Sequence, residues 1–81
     1  MKQQFKPDYK IHPGQYLKDI LETRYMTRKE LAKKLKVSYQ SLSNIINCKK
    51  LLTEDLIVKL EKVLGISASL FRNLNNQYIN D

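Results

Sequence analysis

The sequence predicts an all-α domain of five short helices. Apolar residues recur at three- and four-residue spacing in five separate segments, and each segment begins beside a Ser, Thr or Pro suited to a helix start. No segment shows the alternation that would predict a strand. At 81 residues the chain can bury one core but not two. We therefore expect one compact domain over residues 12–81, preceded by a basic N-terminal arm, residues 1–11.

The first predicted helix opens at His12-Pro13-Gly14. Proline suits the first helical position, because its missing N–H would have no partner there. The apolar side of this helix is expected to consist of Tyr16, Leu17, Ile20 and Leu21. Asp19 and Glu22 fall on the side that should face solvent.

Two short helices are predicted next, joined by a tight corner. Thr27 with Glu30 forms a capping box for a helix that runs to about Lys36, and Ser38 is placed to cap a helix that runs to about Asn47. Val37 should plug the corner between them. The apolar positions are Leu31, Ala32 and Leu35 in one helix and Leu42, Ile45 and Ile46 in the other. A small residue such as Ala32 allows two helices to cross closely.

Thr53 is expected to cap a fourth helix that Gly65 ends, and Ser67 to cap a fifth. The fourth helix carries the apolar positions Leu56, Ile57, Leu60, Val63 and Leu64. The fifth carries an apolar stripe that must be buried somewhere, on its own core by default or against the same helix of a second chain. The residues of that stripe, and hence the candidates for a dimer contact, are Leu70, Phe71, Leu74 and Tyr78.

Charge is distributed unevenly along the chain. The net charge is +7, but residues 1–50 hold 12 Lys and Arg against 4 Asp and Glu, whereas residues 51–81 hold 3 against 4. The basic half contains the two-helix unit, which favours a polyanionic partner. Such a partner would meet the polar positions of the third helix, because uncharged hydrogen-bonding side chains can read base edges in a major groove.

Several classes of function are excluded by what the sequence lacks. A single cysteine, Cys48, allows no internal disulfide, and with only one histidine, His12, a zinc site made by this chain alone is not expected. No run of residues is long and apolar enough to cross a membrane, so we expect a cytoplasmic protein. No acid–base pair, nucleophile–base set or phosphate-cradling loop is evident, so we expect no catalysis, cofactor or metal.

Four segments resemble the HigA-type antitoxins of bacterial toxin–antitoxin operons, within the Cro/Xre-like family of phage-repressor helix-turn-helix proteins. They are HPGQYLKDIL, MTRKELAKKLKVSYQSLSNIIN, LTEDLIVKLEKVLGIS and SLFRNLNNQY, in the family's order and spacing over residues 12–79. Two positions depart from the family pattern: Lys36 and Cys48 stand where glycine is usual. A side chain in a left-handed backbone conformation costs about 1 kcal/mol if the turn requires one.

The resemblance implies a phage-repressor-like fold and assigns candidate DNA contacts. Contacts to bases fall on the recognition helix at Tyr39, Gln40, Ser43 and Asn44. Contacts to phosphates fall on Arg28, Ser38, Ser41, Asn47, Lys49 and Lys50. Gln40 and Asn44 have the donor and acceptor groups that match adenine N6 and N7.

The resemblance further implies a homodimeric repressor of double-stranded DNA, acting on a palindromic operator. It also implies that the protein binds and silences a ribonuclease toxin encoded beside it and represses its own operon. The first helix and the basic arm are the candidate toxin-binding surfaces. Two alternatives stay open: a stand-alone phage or chromosomal regulator without a toxin, and a helical module that binds only proteins.

Overall fold

The structure, a computed structural model, describes residues 11–79 and consists there of five helices without strands. The helices are α1 (Pro13–Thr23), α2 (Arg28–Leu35), α3 (Tyr39–Ile46), α4 (Glu54–Leu64) and α5 (Ala68–Ile79). The predicted all-α, five-helix fold is confirmed. Of the predicted N-terminal arm, residues 1–10 lie outside the described residues.

The start of α1 lies directly against the end of α3. His12 is the N-cap residue, and its Nδ1 accepts a hydrogen bond of 2.9 Å from the Gly14 N–H. A Cβ atom on Gly14 would lie 1.8 Å from the carbonyl oxygen of Ile45. Only glycine therefore permits this close approach between the two backbones, which explains why glycine follows proline at the start of α1.

Helices α1, α2 and α3 each end in a left-handed residue that is not glycine. These residues are Tyr25, Lys36 and Cys48, with φ of 56°, 60° and 65°. At each end, the N–H of the left-handed residue bonds three residues back, and the next N–H bonds five residues back, which is the Schellman motif. The turn at Lys36 does require a left-handed residue, so the lysine carries the expected backbone cost, and Cys48 adopts the same conformation. Glycine takes this position only at the end of α4, where Gly65 has φ of 74°.

The core is formed from the predicted apolar sides of all five helices. Its largest fully buried side chains include Leu17, Leu31, Leu35, Leu42, Ile57, Leu60 and Phe71. Val37 packs against this core at the corner between α2 and α3, as predicted. The hydrophobic core is thus enclosed by α1 to α4 together with the first half of α5.

The apolar stripe of α5 divides between the core and the surface. Phe71 is 0% exposed, so its prediction as a dimer contact is wrong: the ring is already covered by the chain's own atoms. Leu74 packs partly against the core, whereas Leu70 and Tyr78 are 36% and 42% exposed. Three of the four dimer candidates therefore retain surface that a partner could cover.

Polar contacts tie α5 to the rest of the fold. The Asn75 side chain pairs with the Leu52 backbone: its Oδ1 accepts from Leu52 N–H at 3.3 Å, and its Nδ2 donates to Leu52 C=O at 2.8 Å. Arg72 donates to the Glu54 carboxylate, with Nε 2.9 Å from Oε2. Both contacts connect α5 to the start of α4 and to the loop before it.

Candidate nucleic-acid interface

The α2–α3 unit is closed by reciprocal caps and a tight corner. The Thr27 hydroxyl accepts from Glu30 N–H at 3.1 Å, and Glu30 Oε1 accepts from Thr27 N–H at 2.8 Å, so the predicted capping box is present. This backbone hydrogen bond lowers the pKa of Glu30 and keeps it ionised at the positive end of the helix dipole. At the other end of α2, Val37 N–H bonds to Ala32 C=O at 3.0 Å and closes the turn.

Two serines organise the start of α3. The Ser38 hydroxyl accepts from Ser41 N–H at 3.0 Å, which makes Ser38 the N-cap as predicted. The same hydroxyl donates to Ser41 Oγ at 2.9 Å. Since Ser38 already has both a donor and an acceptor partner, Ser41 is left with the free hydroxyl proton of this pair.

The outer side of α3 presents an ordered pair of amides. Gln40 Nε2 donates to Asn44 Oδ1 at 3.0 Å, across one helical turn. Gln40 is exposed and Asn44 is half-buried, so the pair lies on the surface rather than in the core. Gln40 Oε1 remains as an acceptor and Asn44 Nδ2 as a donor, both available to a group outside the protein. Tyr39, 49% exposed, lies at the start of the same surface.

Ser43 does not belong to this surface. It is only 7% exposed, and its hydroxyl accepts a hydrogen bond of 2.8 Å from Arg28 Nη1. The prediction that Ser43 contacts a base is therefore wrong, because its side chain faces α2. Ser43 instead fixes the position of the arginine.

Arg28 joins the start of α2 to the end of α3. Its Nη1 also donates to Asn47 Oδ1 at 3.1 Å, so both hydrogens of that nitrogen have partners within the protein. The N–H groups of Nη2 and Nε are left to donate elsewhere. Two candidate phosphate-binding residues, Arg28 and Asn47, thus form one unit at the edge of the α3 surface.

Neither this hydrogen-bonded unit nor the contact between the two amides was predicted from the sequence. The Gln40–Asn44 pair could have been found, because four-residue spacing places both side chains on one helix face. The contact between Ser43 and Arg28 spans 15 positions and depends on how two helices cross, which no local pattern encodes.

Two lysines follow the end of α3 and extend the basic edge. Lys49 and Lys50 are both exposed, directly after the left-handed residue Cys48.

Within residues 11–79, no group of His, Cys, Asp or Glu could hold a metal ion. In the same residues, no helix is long and apolar enough to cross a membrane.

Two short helices joined by a tight corner, the second with a free polar face, define a helix-turn-helix protein. The sequence profile of the family described as Helix-turn-helix matches residues 17–71. The chain belongs to that family. No curated protein sequence matches the chain.

Solved structures support the predicted resemblance to HigA-type antitoxins. A proposed antidote protein of a plasmid maintenance system from Nostoc punctiforme is 34% identical, with a TM-score of 0.80, over 84% of this chain and 75% of that one. An addiction-module antidote protein of the HigA family from Coxiella burnetii is 28% identical, with a TM-score of 0.77, over 85% and 76%.

A third solved structure contains DNA. The antitoxin HigA of Pseudomonas aeruginosa, solved with the higBA promoter, is 29% identical and has a TM-score of 0.83. The match covers 88% of this chain and 78% of that one. The resemblance to HigA-type antitoxins is thereby confirmed at the level of the whole five-helix domain.

Proposed function

We propose that this protein is a transcriptional repressor that inserts the outer side of α3 into the major groove of an operator. The observation that carries the proposal is the Gln40–Asn44 amide pair, ordered at 3.0 Å on an exposed helix face. Cationic groups border that face, with Arg28 at one edge and Lys49 and Lys50 after the end of the helix. The complex of the Pseudomonas HigA antitoxin with promoter DNA supports the proposal.

The two amides would recognise an adenine together. The adenine edge in the major groove offers N7 as an acceptor and N6 as a donor. Asn44 Nδ2 can donate to N7 while Gln40 Oε1 accepts from N6. Because each amide already holds the other in place, less side-chain entropy is lost on binding. Tyr39 would contact a thymine methyl group or a phosphate beside them.

The remaining contacts would fix the protein on the backbone without reading sequence. Arg28 is held by Ser43 and Asn47, so its outward N–H groups are preorganised for one phosphate. Lys49 and Lys50 would neutralise further phosphates. Such contacts add salt dependence but no sequence preference.

Mobility shifts on the promoter of the protein's own operon test base recognition. Gln40→Ala should weaken binding to the preferred site by roughly 5- to 150-fold, because a bidentate base contact contributes about 1–3 kcal/mol of discrimination. The matched control is Asn76→Ala, an exposed amide on α5 that lies off the side of Leu70. Equal affinities of wild type and Gln40→Ala for the specific site would contradict the proposal.

The salt dependence of the same shifts tests the phosphate contacts. Lys49→Gln should lower the slope of log affinity against log salt by about 1, with little change in sequence preference. Lys62→Gln removes an exposed lysine from α4 and serves as the control. A slope lowered by Lys62→Gln but not by Lys49→Gln would place the DNA on another face.

We further propose a homodimer on a two-fold operator, with the exposed part of the α5 stripe at the interface. Leu70 is 36% exposed and Leu74, one turn further on, is only partly buried, which leaves apolar surface on this side of α5. Leu70→Glu should convert a dimer into a monomer in sedimentation velocity. It should weaken binding to a paired operator far more than binding to one half-site. A wild type that is monomeric at 100-fold above its operator Kd would contradict this part.

Finally, we propose that the protein is the antitoxin of a type II module and neutralises a ribonuclease toxin. The support is the whole-domain similarity to the antidote proteins of Nostoc and Coxiella. The test is expression of the adjoining gene with and without this protein. Arrested growth that this protein relieves is the expected result. If expression of the neighbouring gene does not arrest growth, the protein is a stand-alone repressor without a toxin partner.

A further inference from the structure

A pocket of about 490 Å³ lies apart from the α3 surface, where the start of α1 meets the ends of α3 and α5. Its volume is in the range that binding pockets usually have. Its lining includes His12, Gln15, Tyr16, Asp19, Cys48 and Tyr78. None of these residues has a role in the proposed recognition of DNA.

Aromatic contacts hold the two tyrosine walls of this pocket. The Tyr78 ring meets the His12 ring edge to face, with centroids 4.7 Å apart. The Tyr16 ring meets Phe71 in the same manner at 5.9 Å, and Phe71 is fully buried. Both tyrosine rings are therefore anchored where they line the pocket, and they give it aromatic walls.

The electrostatics of the pocket are opposite to those of the chain. Asp19 contributes a carboxylate from α1. His12 is neutral at pH 7, because burial lowers its pKa and its Nδ1 accepts from the Gly14 N–H. The formal charge of the lining side chains is thus −1 in a protein whose net charge is +7.

We propose that this pocket binds an arginine or lysine side chain of a protein partner. A guanidinium or ammonium group gains from a carboxylate on one side and aromatic faces on the other. The identity of the partner rests on the proposed function: a ribonuclease must hold RNA phosphates with cationic residues. Capture of one such residue would both bind the toxin and remove a group that it needs.

The carboxylate and the aromatic walls also make an anionic ligand unfavourable in this pocket. A nucleic-acid phosphate would be repelled by Asp19, and an acidic peptide would gain nothing from the aromatic walls. The pocket also involves α1, one of the two predicted toxin-binding surfaces. The matched control for Asp19 is Glu22, a carboxylate on the same helix that does not line the pocket.

The first test is an NMR titration of the full chain with the capped tripeptide acetyl-Gly-Arg-Gly-amide. The expected result is saturable shifts at Gln15, Asp19 and Cys48 and at the tyrosine rings, with a Kd in the millimolar range. Asp19→Asn should raise that Kd at least tenfold, whereas Glu22→Gln should leave it unchanged. Absence of saturable shifts up to 50 mM peptide would overturn the proposal. Equal shifts with the uncharged citrulline peptide would also overturn it.

A second measurement separates this inference from the proposed function. Asp19→Asn should bind operator DNA like the wild type but relieve the growth arrest caused by the neighbouring gene at least tenfold less efficiently. Full relief by Asp19→Asn would overturn the pocket proposal and leave the antitoxin function standing. A wild type that relieves no arrest would overturn the antitoxin function, while the peptide titration would still decide what the pocket binds.

Discussion

Helices α3 and α5 are built from the same two classes of residue, amides and large apolar side chains, but the fold uses them in opposite ways. In α3 the aliphatic residues Leu42, Ile45 and Ile46 are all buried, and Gln40 and Asn44 pair with each other on the outside. In α5 Leu70 is left at the surface, and the amide of Asn75 turns inward to the Leu52 backbone.

The difference follows from where each helix lies. Helix α3 packs against both α1 and α2, so two neighbours cover its apolar side and its remaining side is free to carry polar groups. Helix α5 packs mainly against α4, with a smaller contact to α1, so part of its apolar side stays uncovered. One of its amides, Asn75, binds the backbone of the loop before α4, while the apolar Leu70 remains exposed. One helix thus offers hydrogen bonds to a partner, and the other offers apolar area.

The largest loss of folding stability is expected from a substitution at Gly14, where the start of α1 lies against the end of α3. Gly14→Ala would place a Cβ 1.8 Å from the Ile45 carbonyl oxygen, and the atom in the way is backbone that cannot rotate aside. We expect a loss of about 3 kcal/mol in the free energy of unfolding, measured in urea.

The control for this change is Gly65→Ala at the entry to α5. An added Cβ meets nothing within 4 Å there, but φ is 74°, so the loss should be about 1 kcal/mol. Equal losses in the two variants would show that the contact between α1 and α3 is looser than the structure indicates.

A smaller loss is expected from the inward-facing amide of α5. Asn75→Ala would leave the buried Leu52 backbone without both of its partners, at a cost of about 1–3 kcal/mol. Asn73→Ala, at an exposed position on the same helix, should change stability by less than about 0.5 kcal/mol. Asn44→Ala in α3 should resemble Asn73→Ala in stability while weakening DNA binding. Similar losses for Asn44 and Asn75 would remove the contrast between the two helices.

The sequence predicted what depends on local chemistry. The capping box of Thr27 and Glu30 and the cap at Ser38 follow from residue types at fixed spacing. The apolar periods identified all five helices for the same reason, because each helix can bury only one side.

What the sequence could not predict depends on which neighbour covers which side. Ser43 occupies a polar position on α3, but α2 crosses there and its arginine takes the hydroxyl. Phe71 and Leu70 are adjacent in one apolar stripe, and only the packing of α5 decides that the first is buried and the second exposed. The pocket between α1, α3 and α5 likewise joins residues as distant as His12 and Tyr78.

The folding stability should depend on pH through His12, whose ring connects the start of α1 to Tyr78 in α5. Burial lowers the pKa of His12 in the folded protein below its ordinary value of 6.5, so the unfolded chain binds the proton more readily. Stability should therefore be constant above pH 7 and fall as the pH drops below about 6.5. The expected loss is measured by urea unfolding between pH 7.5 and 5.5, above the range in which carboxylates titrate.

His12→Asn provides the control for this titration. Asparagine can still accept the N–H of the first turn, but it does not titrate, so the variant should show no slope in the same pH range. It loses the ring contact with Tyr78 and should be less stable at every pH. A wild-type stability that rises on acidification would mean that the folded state favours the protonated ring.

The smallest change in folding stability is expected at the left-handed turns that precede α3 and α5. The corner before α3 passes through Lys36 and the turn before α5 through Gly65, both left-handed, so only the first carries a strained side chain. Lys36→Gly should relieve about 1 kcal/mol of strain, and the greater freedom of glycine in the unfolded chain offsets part of that gain. The net stabilisation should be about 0.5 kcal/mol by urea unfolding. Lys33→Gly, in the helical interior of α2, should instead cost about 1 kcal/mol. If both substitutions destabilise, the lysine at the corner contributes contacts that outweigh its backbone strain.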